Sequence, residues 1–211
     1  MMMHPLKNKV DPSGALQPVS ARGTRMGNRG ILHNEHGEVV HDWKTKSWVT
    51  CLLTSSLPKR VPFSPGQYSE LFFLDEATSF SAGHRPCRFC QRDRFDEFKD
   101  RWLAANFANR SDQFTSIKDI DAALHLERVR PDRSKSTYPE EIERVPRGAM
   151  IHIAGSPYLV WYGGLKAWTY EGYNPCPLVP KKKIVEVLTP RSVVNVYSTG
   201  FRPFVHPSAD A

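Results

Sequence analysis

Cysteine is scarce in this chain, with 4 in 211 residues. The opening Met1-Met2-Met3-His4-Pro5-Leu6-Lys7 has no apolar signal core. A disulfide scaffold is therefore not expected. No apolar run reaches the roughly eighteen residues that a membrane helix needs. A cytoplasmic, reducing setting is the expectation, and it favours thiols that hold metal over thiols that pair. Acidic residues are in deficit, 22 against 29 Lys and Arg, leaving a net charge of +7. That balance points to an anionic partner and says nothing about fold. Phosphate-loop chemistry is also missing. The turn Gly27-Asn28-Arg29-Gly30 lacks the strand and helix of a P-loop.

Against these absences stands one informative stretch, Asp75-Glu76-Ala77-Thr78-Ser79-Phe80-Ser81-Ala82-Gly83-His84-Arg85-Pro86-Cys87-Arg88-Phe89-Cys90. Asp75 predicts a helix cap and Gly83 a helix stop. Pro86 fixes the backbone before Cys87. The Cys-x-x-Cys spacing lets two sulfurs reach one tetrahedral zinc at about 2.3 Å. A redox dithiol is the less apt reading, because no βαβ unit precedes the pair. Two unrelated buried thiols remain the plain alternative.

The segment Gly83-His84-Arg85-Pro86-Cys87-Arg88-Phe89-Cys90-Gln91-Arg92 resembles the N-terminal metal-binding domain of the bacterial DNA alkylation-repair protein Ada. The resemblance covers roughly residues 45 to 95, with His84 at a usually aromatic position. That family carries an earlier Cys-x-x-x-Cys pair about thirty residues upstream. Trp48-Val49-Thr50-Cys51 places Cys51 at its first cysteine, and Ser55 stands at the second. The resemblance implies zinc held by Cys51, Cys87 and Cys90. It also implies alkyl transfer to the first cysteine, but with three thiolates the site carries less negative charge and its sulfur is a weaker nucleophile. A fourth ligand must come from elsewhere. His33, His36, His41 and the distant Cys176 are the candidates, with His33 taken first.

Basic residues cluster at Arg22, Arg25 and Arg29, around the knuckle, and at Lys181-Lys182-Lys183. Ordinary solvated surface suffices for the lysines. Arg85, Arg88 and Arg92 beside the cysteines are candidates for phosphate contact, since guanidinium offers a planar two-pronged donor.

Residues 1 to 30 show little periodicity and read as an extended basic arm. A hairpin is expected over Ile31 to Trp43, then strands over Trp48 to Thr54 and Tyr68 to Leu74. From Asp93 the pattern turns helical, with Phe95, Phe98, Trp102 and Phe107 on one face. Such a stripe is core more often than a base-stacking platform. Asn109 to Asp112 is the expected domain boundary. A second helix, Ile117 to Val129, puts Asp121, His125 and Arg128 on one face. An Asp-oriented His beside an Arg would suit a general base with an anion clamp; ordinary ion pairs on a helix face are the plainer reading. Thr137-Tyr138-Pro139-Glu140 fits a capping box and predicts a short helix to Arg144. An antiparallel meander follows over Met150 to Tyr170, then a strand at Ile184 to Leu188 and a capped helix over Thr189 to Thr199. The exit Gly200-Phe201-Arg202-Pro203 echoes Gly83-His84-Arg85-Pro86, either as a worn duplication or as a good helix exit.

The expectation is an α+β fold with mostly antiparallel mixed sheet. It divides into an arm (1–30), a metal-knuckle domain (31–110) and a helix-plus-meander domain (111–211). The function expected is zinc binding with contact to a nucleic-acid backbone, DNA foremost, linked to repair. Two further classes stand beside it. One is an enzyme, using Cys51 as alkyl acceptor or Asp121, His125 and Arg128 for hydrolysis. The other is a zinc-stabilised scaffold for a protein partner.

Overall fold

A computed structural model describes residues 5–53, 61–107, 116–176 and 184–211. The fold is α+β, built on two sheets. The first comprises β1 (Lys9–Val10), β2 (Leu16–Gln17), β3 (Arg25–Asn28), β4 (Val49–Leu52), β5 (Leu71–Phe73) and β6 (Arg85–Pro86). Their order is β2-β1-β5-β3-β4-β6. It is mixed: β1 pairs with β5, and β4 with β6, in parallel. The second sheet is antiparallel throughout. It comprises β7 (Tyr138–Glu141), β8 (Met150–Ile153), β9 (Ser156–Trp161), β10 (Gly164–Trp168), β11 (Tyr173–Pro175) and β12 (Ile184–Val187), in the order β11-β10-β9-β8-β12-β7.

Four α-helices among the described residues accompany the sheets: α1 (Glu76–Ser81), α2 (Arg92–Phe107), α3 (Ile117–Arg128) and α4 (Arg191–Ser198). The first is short and wholly buried. Its small residues let it touch every core region. Phe80 packs with Phe98, Trp102 and Tyr197, Ala77 with Met150 and Leu159, and the following Ala82 with Val10, Leu71 and Phe73. The Asp75 carboxylate accepts from Thr78 N at 2.8 Å, as a cap should. Its other oxygen accepts from the Tyr173 hydroxyl at 2.8 Å and from His206 N at 2.9 Å. One cap thus ties both sheets to the C-terminal segment. Glu76, equally buried, accepts from Arg94 at 2.7 Å and from Phe204 N at 2.9 Å.

The aromatic face of α2 is core. Phe95, Phe98 and Trp102 are buried, each contributing about 1.5–3 kcal/mol by leaving water. That core does not stop at the expected boundary. Phe80, Phe98 and Trp102 share one cluster with Ile120, Leu124, Val193, Tyr197 and Phe201. The segments before and after residue 110 therefore pack as one body. The boundary residues themselves, Asn109 to Asp112, lie outside the described residues, as do Lys181 to Lys183.

Two local expectations give way. The described part of the basic arm, residues 5 to 30, supplies β1, β2 and β3 to the first sheet, and Asn8, Val10 and Arg29 are buried. Two-residue strands leave no period to read. Thr137 to Arg144 is not a capped helix. Tyr138–Glu141 is an edge strand on β12, followed by a single 3-10 turn over Ile142–Arg144. Thr137 donates its hydroxyl to Glu186 on the neighbouring strand. Pro139 is tolerated because the strand is an edge.

The echoed glycines share a backbone conformation, φ +90° at Gly83 and +92° at Gly200. Each closes a helix in the left-handed region that glycine favours. After Gly83 the chain enters β6, whereas after Gly200 it forms no strand. The common feature is the helix exit.

Candidate metal centre and its surroundings

The centre is assembled by the parallel pairing of β4 with β6. Val49 lies opposite Arg85 and Thr50 opposite Pro86. Arg85 N donates to Trp48 O at 3.1 Å, and Cys87 N to Thr50 O at 2.9 Å. Strands about 4.8 Å apart bring Cys51 and Cys87 side by side. Pro86 sits on the outer strand of the sheet, where a missing N–H costs no ladder bond. The chain then turns through Arg88, Phe89 and Cys90, with Gln91 N donating to Cys87 O at 3.1 Å. The Gln91 amide donates to Thr50 O at 2.6 Å, fastening the turn to the sheet.

This geometry gathers the sulfurs of Cys51, Cys87 and Cys90 within 4.8 Å of one another. Sulfurs on one tetrahedral zinc stand about 3.8 Å apart, given bonds of about 2.3 Å. The donor set fits a soft, thiolate-preferring cation. The thiols are already unequal. The hydrogen bond from the Cys51 thiol lowers the Cys87 pKa to about 5. The same hydrogen bond, with burial, pushes Cys51 up. Burial also raises Cys90. A metal would displace the thiol protons on binding.

The fourth ligand is not brought to the cluster by the candidate histidines. His33 stands elsewhere, with Nδ1 2.6 Å from the Ser69 hydroxyl and Nε2 3.3 Å from Ser64 O. Its ring stacks on Phe63 at 4.6 Å. Both nitrogens are engaged, so His33 is a structural histidine. Cys176 packs against the main core instead. Among the described residues only the three cysteines gather at this point. Ser55 lies outside the described residues.

The arginines divide. Arg85 turns inward and is 5% exposed. It grips Asp121 with both prongs, at 2.7 and 2.8 Å. It is thus removed from the set available to a phosphate backbone. Arg88 and Arg92 are exposed. With Phe89, 71% exposed, they line a shallow hollow of about 420 Å³ beside the cysteines.

Asp121 and Arg128 are buried, and His125 beside them is half-buried, so the grouping is not a solvated face. Asp121 answers Arg85 and therefore does not orient His125. Arg128 donates to Gly83 O at 2.8 Å and to Lys46 O at 2.7 Å, and it lies 3.0 Å from His125 Nδ1. Burial and the cationic Arg128 lower the His125 pKa to about 4, so it is neutral near pH 7. The hydrolytic arrangement is not formed.

Sequence reasoning missed His84 and Trp48. His84 is fully buried, its ring 4.7 Å from Phe73 and 5.2 Å from Trp48. It packs as an aromatic ring between Trp48 and Phe73. Trp48 carries two guanidinium groups, Arg29 at 4.0 Å and Arg128 at 3.9 Å. Nothing local signals that gathering.

Comparison with protein families, characterised proteins and solved structures finds no match to this chain. No helix among the described residues is long and apolar enough to cross a membrane.

Proposed function

We propose that Cys51, Cys87 and Cys90 bind zinc, and that the stiffened turn presents Arg88 and Arg92 to a nucleic-acid backbone. One observation carries this reading: three sulfurs from two paired strands and a turn converge within 4.8 Å. Gathering one buried and two half-buried thiols without an ion forgoes the strongest interaction they can make. The likeness of Gly83 to Arg92 to the Ada metal domain supports zinc as the ion and DNA, in a repair setting, as the polymer. The exposed trio Arg88, Phe89 and Arg92 supports contact with phosphates and a stacking base over direct readout of sequence. Elemental analysis of purified protein tests the first half. About one zinc per chain, absent from Cys87→Ala, is the expected result; no metal in reduced wild type sinks the proposal. Salt titration of DNA binding tests the second. Arg88→Gln with Arg92→Gln should lower the slope of log affinity on log salt by about 0.9 for each lost phosphate contact.

A second reading, a cysteine that accepts an alkyl group, is favoured by one feature. Cys87 is half-buried, and the Cys51 hydrogen bond lowers its pKa. The accessible acceptor would be Cys87, because Cys51 is buried. Mass spectrometry after incubation with methylated DNA decides it. Methyl on Cys87 supports the reading, and none on any cysteine removes it.

A further inference from the structure

Arg29 and Arg128 are 3% and 1% exposed, and among the described residues neither meets a carboxylate. Arg29 donates only to neutral groups, to Gly14 O at 3.0 Å and to His84 Nε2 at 3.3 Å. Its Nη2 and the Arg128 Nε are buried with no acceptor. An unanswered buried donor of this kind is costly. The Nη2 lies beside Gly14, 3.4 Å from where a β-carbon would stand there. Gly14, Arg29, Arg128 and Lys135 all line one cleft of about 360 Å³.

The cleft is strongly cationic. Lys135 donates to Ser81 O at 2.6 Å from within it, and Lys7 and Arg133 add charge nearer the solvent. Asp42 is the one acid among its lining residues, and that carboxylate faces Arg133 at 3.9 Å. The nearby Asp11 is occupied in its own loop, accepting from Ser13 N at 2.8 Å and Ala15 N at 3.1 Å. Burial, and for Arg128 and Lys135 repulsion from neighbouring arginines, lower Arg29 and Arg128 to about 9 and Lys135 to about 7. An arrangement that gathers cations without an anion is built to receive one. Two guanidinium groups and an ammonium match a tetrahedral dianion better than a carboxylate. Trp43, with the Arg133 guanidinium 4.8 Å over its ring, adds an aromatic side to the cleft for whatever the anion carries.

We infer that this cleft binds the phosphate of a small phosphomonoester. Arg29, Arg128 and Lys135 grip the dianion, and Trp43 packs against its organic part. These residues are separate from Arg88, Phe89 and Arg92, so the site stands whether or not the knuckle contacts nucleic acid. The volume admits a phosphate with a sugar or ring attached.

Isothermal titration calorimetry on the full chain tests it, with inorganic phosphate, ribose 5-phosphate, adenosine 5′-monophosphate and adenosine as probes. The three phosphates should bind and adenosine should not. Tighter binding of the nucleotide than of ribose phosphate assigns Trp43 a stacked base; equal binding assigns the phosphate alone. Lys135→Met should weaken binding at least tenfold, and Arg29→Met should abolish it. Because Arg29→Met risks unfolding, melting of the wild type supplies an independent reading. Phosphate should raise the melting temperature above that in chloride of equal ionic strength. Absence of both binding and thermal shift, or affinity unchanged in Lys135→Met, overturns the inference.

Discussion

Arg85 and Asp121 form a two-pronged ion pair at 2.7 and 2.8 Å, with side chains 6% and 7% exposed. It joins β6, the strand that delivers Cys87, to α3. The Arg85 guanidinium also donates to Pro86 O at 3.2 Å and to the Ser47 hydroxyl at 3.0 Å. Removing one partner leaves a buried charge unanswered, which costs about 3–5 kcal/mol. Asp121→Ala should therefore lower stability by that order in urea melts. Arg85→Met combined with Asp121→Leu should recover much of the loss, because the apolar pair buries no charge. Equal loss in the single and double variants would show that the pair contributes packing alone.

The sulfur cluster makes a separate prediction through His33. If zinc rests on Cys51, Cys87 and Cys90, then changing any of the three to Ala should empty the site. His33→Ala should keep the metal, since both ring nitrogens are already engaged by Ser69 and Ser64. Its cost should appear in stability, about 1–3 kcal/mol for a buried partner left unmatched. Elemental analysis beside thermal melting separates the two effects. Loss of zinc in His33→Ala would put that histidine, against its hydrogen bonds, in the coordination sphere.

Much of the architecture is carried by local signals, which is why it was legible. The Asp75 cap, the Gly83 stop, the aromatic face of α2 and the β8–β10 meander each depend on residues a few positions apart. The convergence of Cys51 with Cys87 and Cys90 was readable only through the family-like motif, because their approach depends on β4 pairing with β6. What stayed hidden was set by distant partners. Arg85 is a candidate for phosphate contact by its place beside the cysteines, but Asp121, 36 positions away, turns it inward. Thr137 to Glu140 matched a helix cap, yet β12 recruited it as an edge strand. Arg29 falls in the stretch expected as an extended basic arm, whereas a sheet and Trp48 enclose it.

Two neutral histidines set the acid response. Burial, then Arg29 and Arg128, holds His84 well below the ordinary histidine value, and His125 lies near about 4. Unfolded, both would titrate near about 6.5. Between those values the unfolded chain binds more protons than the folded one, so stability falls as pH drops from about 6.5 toward about 4. Each histidine contributes up to about 1.4 kcal/mol per pH unit in that window, less for His125, which touches solvent. His125→Gln should reduce the slope and leave stability above about pH 7 nearly unchanged. Urea melts at a series of pH values measure it, and an identical slope in the variant would refute a neutral His125.

Gly83 and Gly200 allow a clean comparison, because they share a left-handed backbone but not their surroundings. A β-carbon at Gly83 would stand 2.5 Å from Cδ and 2.8 Å from Cβ of Arg128. Those atoms belong to the buried stem of a side chain that donates to Gly83 O and Lys46 O, so they have little room to yield. At Gly200 the nearest atom is the Arg101 Nη1 at 3.8 Å, an ordinary contact. Gly200→Ala should therefore cost only the conformational penalty, about 1–2 kcal/mol. Gly83→Ala adds the displacement of Arg128 and should cost about 2 kcal/mol more. In a chain of this size the extra loss corresponds to roughly 4–8 °C in melting temperature. It should also disturb the cationic cleft, so that Gly83→Ala loses phosphate affinity while Gly200→Ala retains it. Equal melting temperatures for the two variants would mean that Arg128 moves aside freely, and that its place against Trp48 is not fixed by the α1 exit.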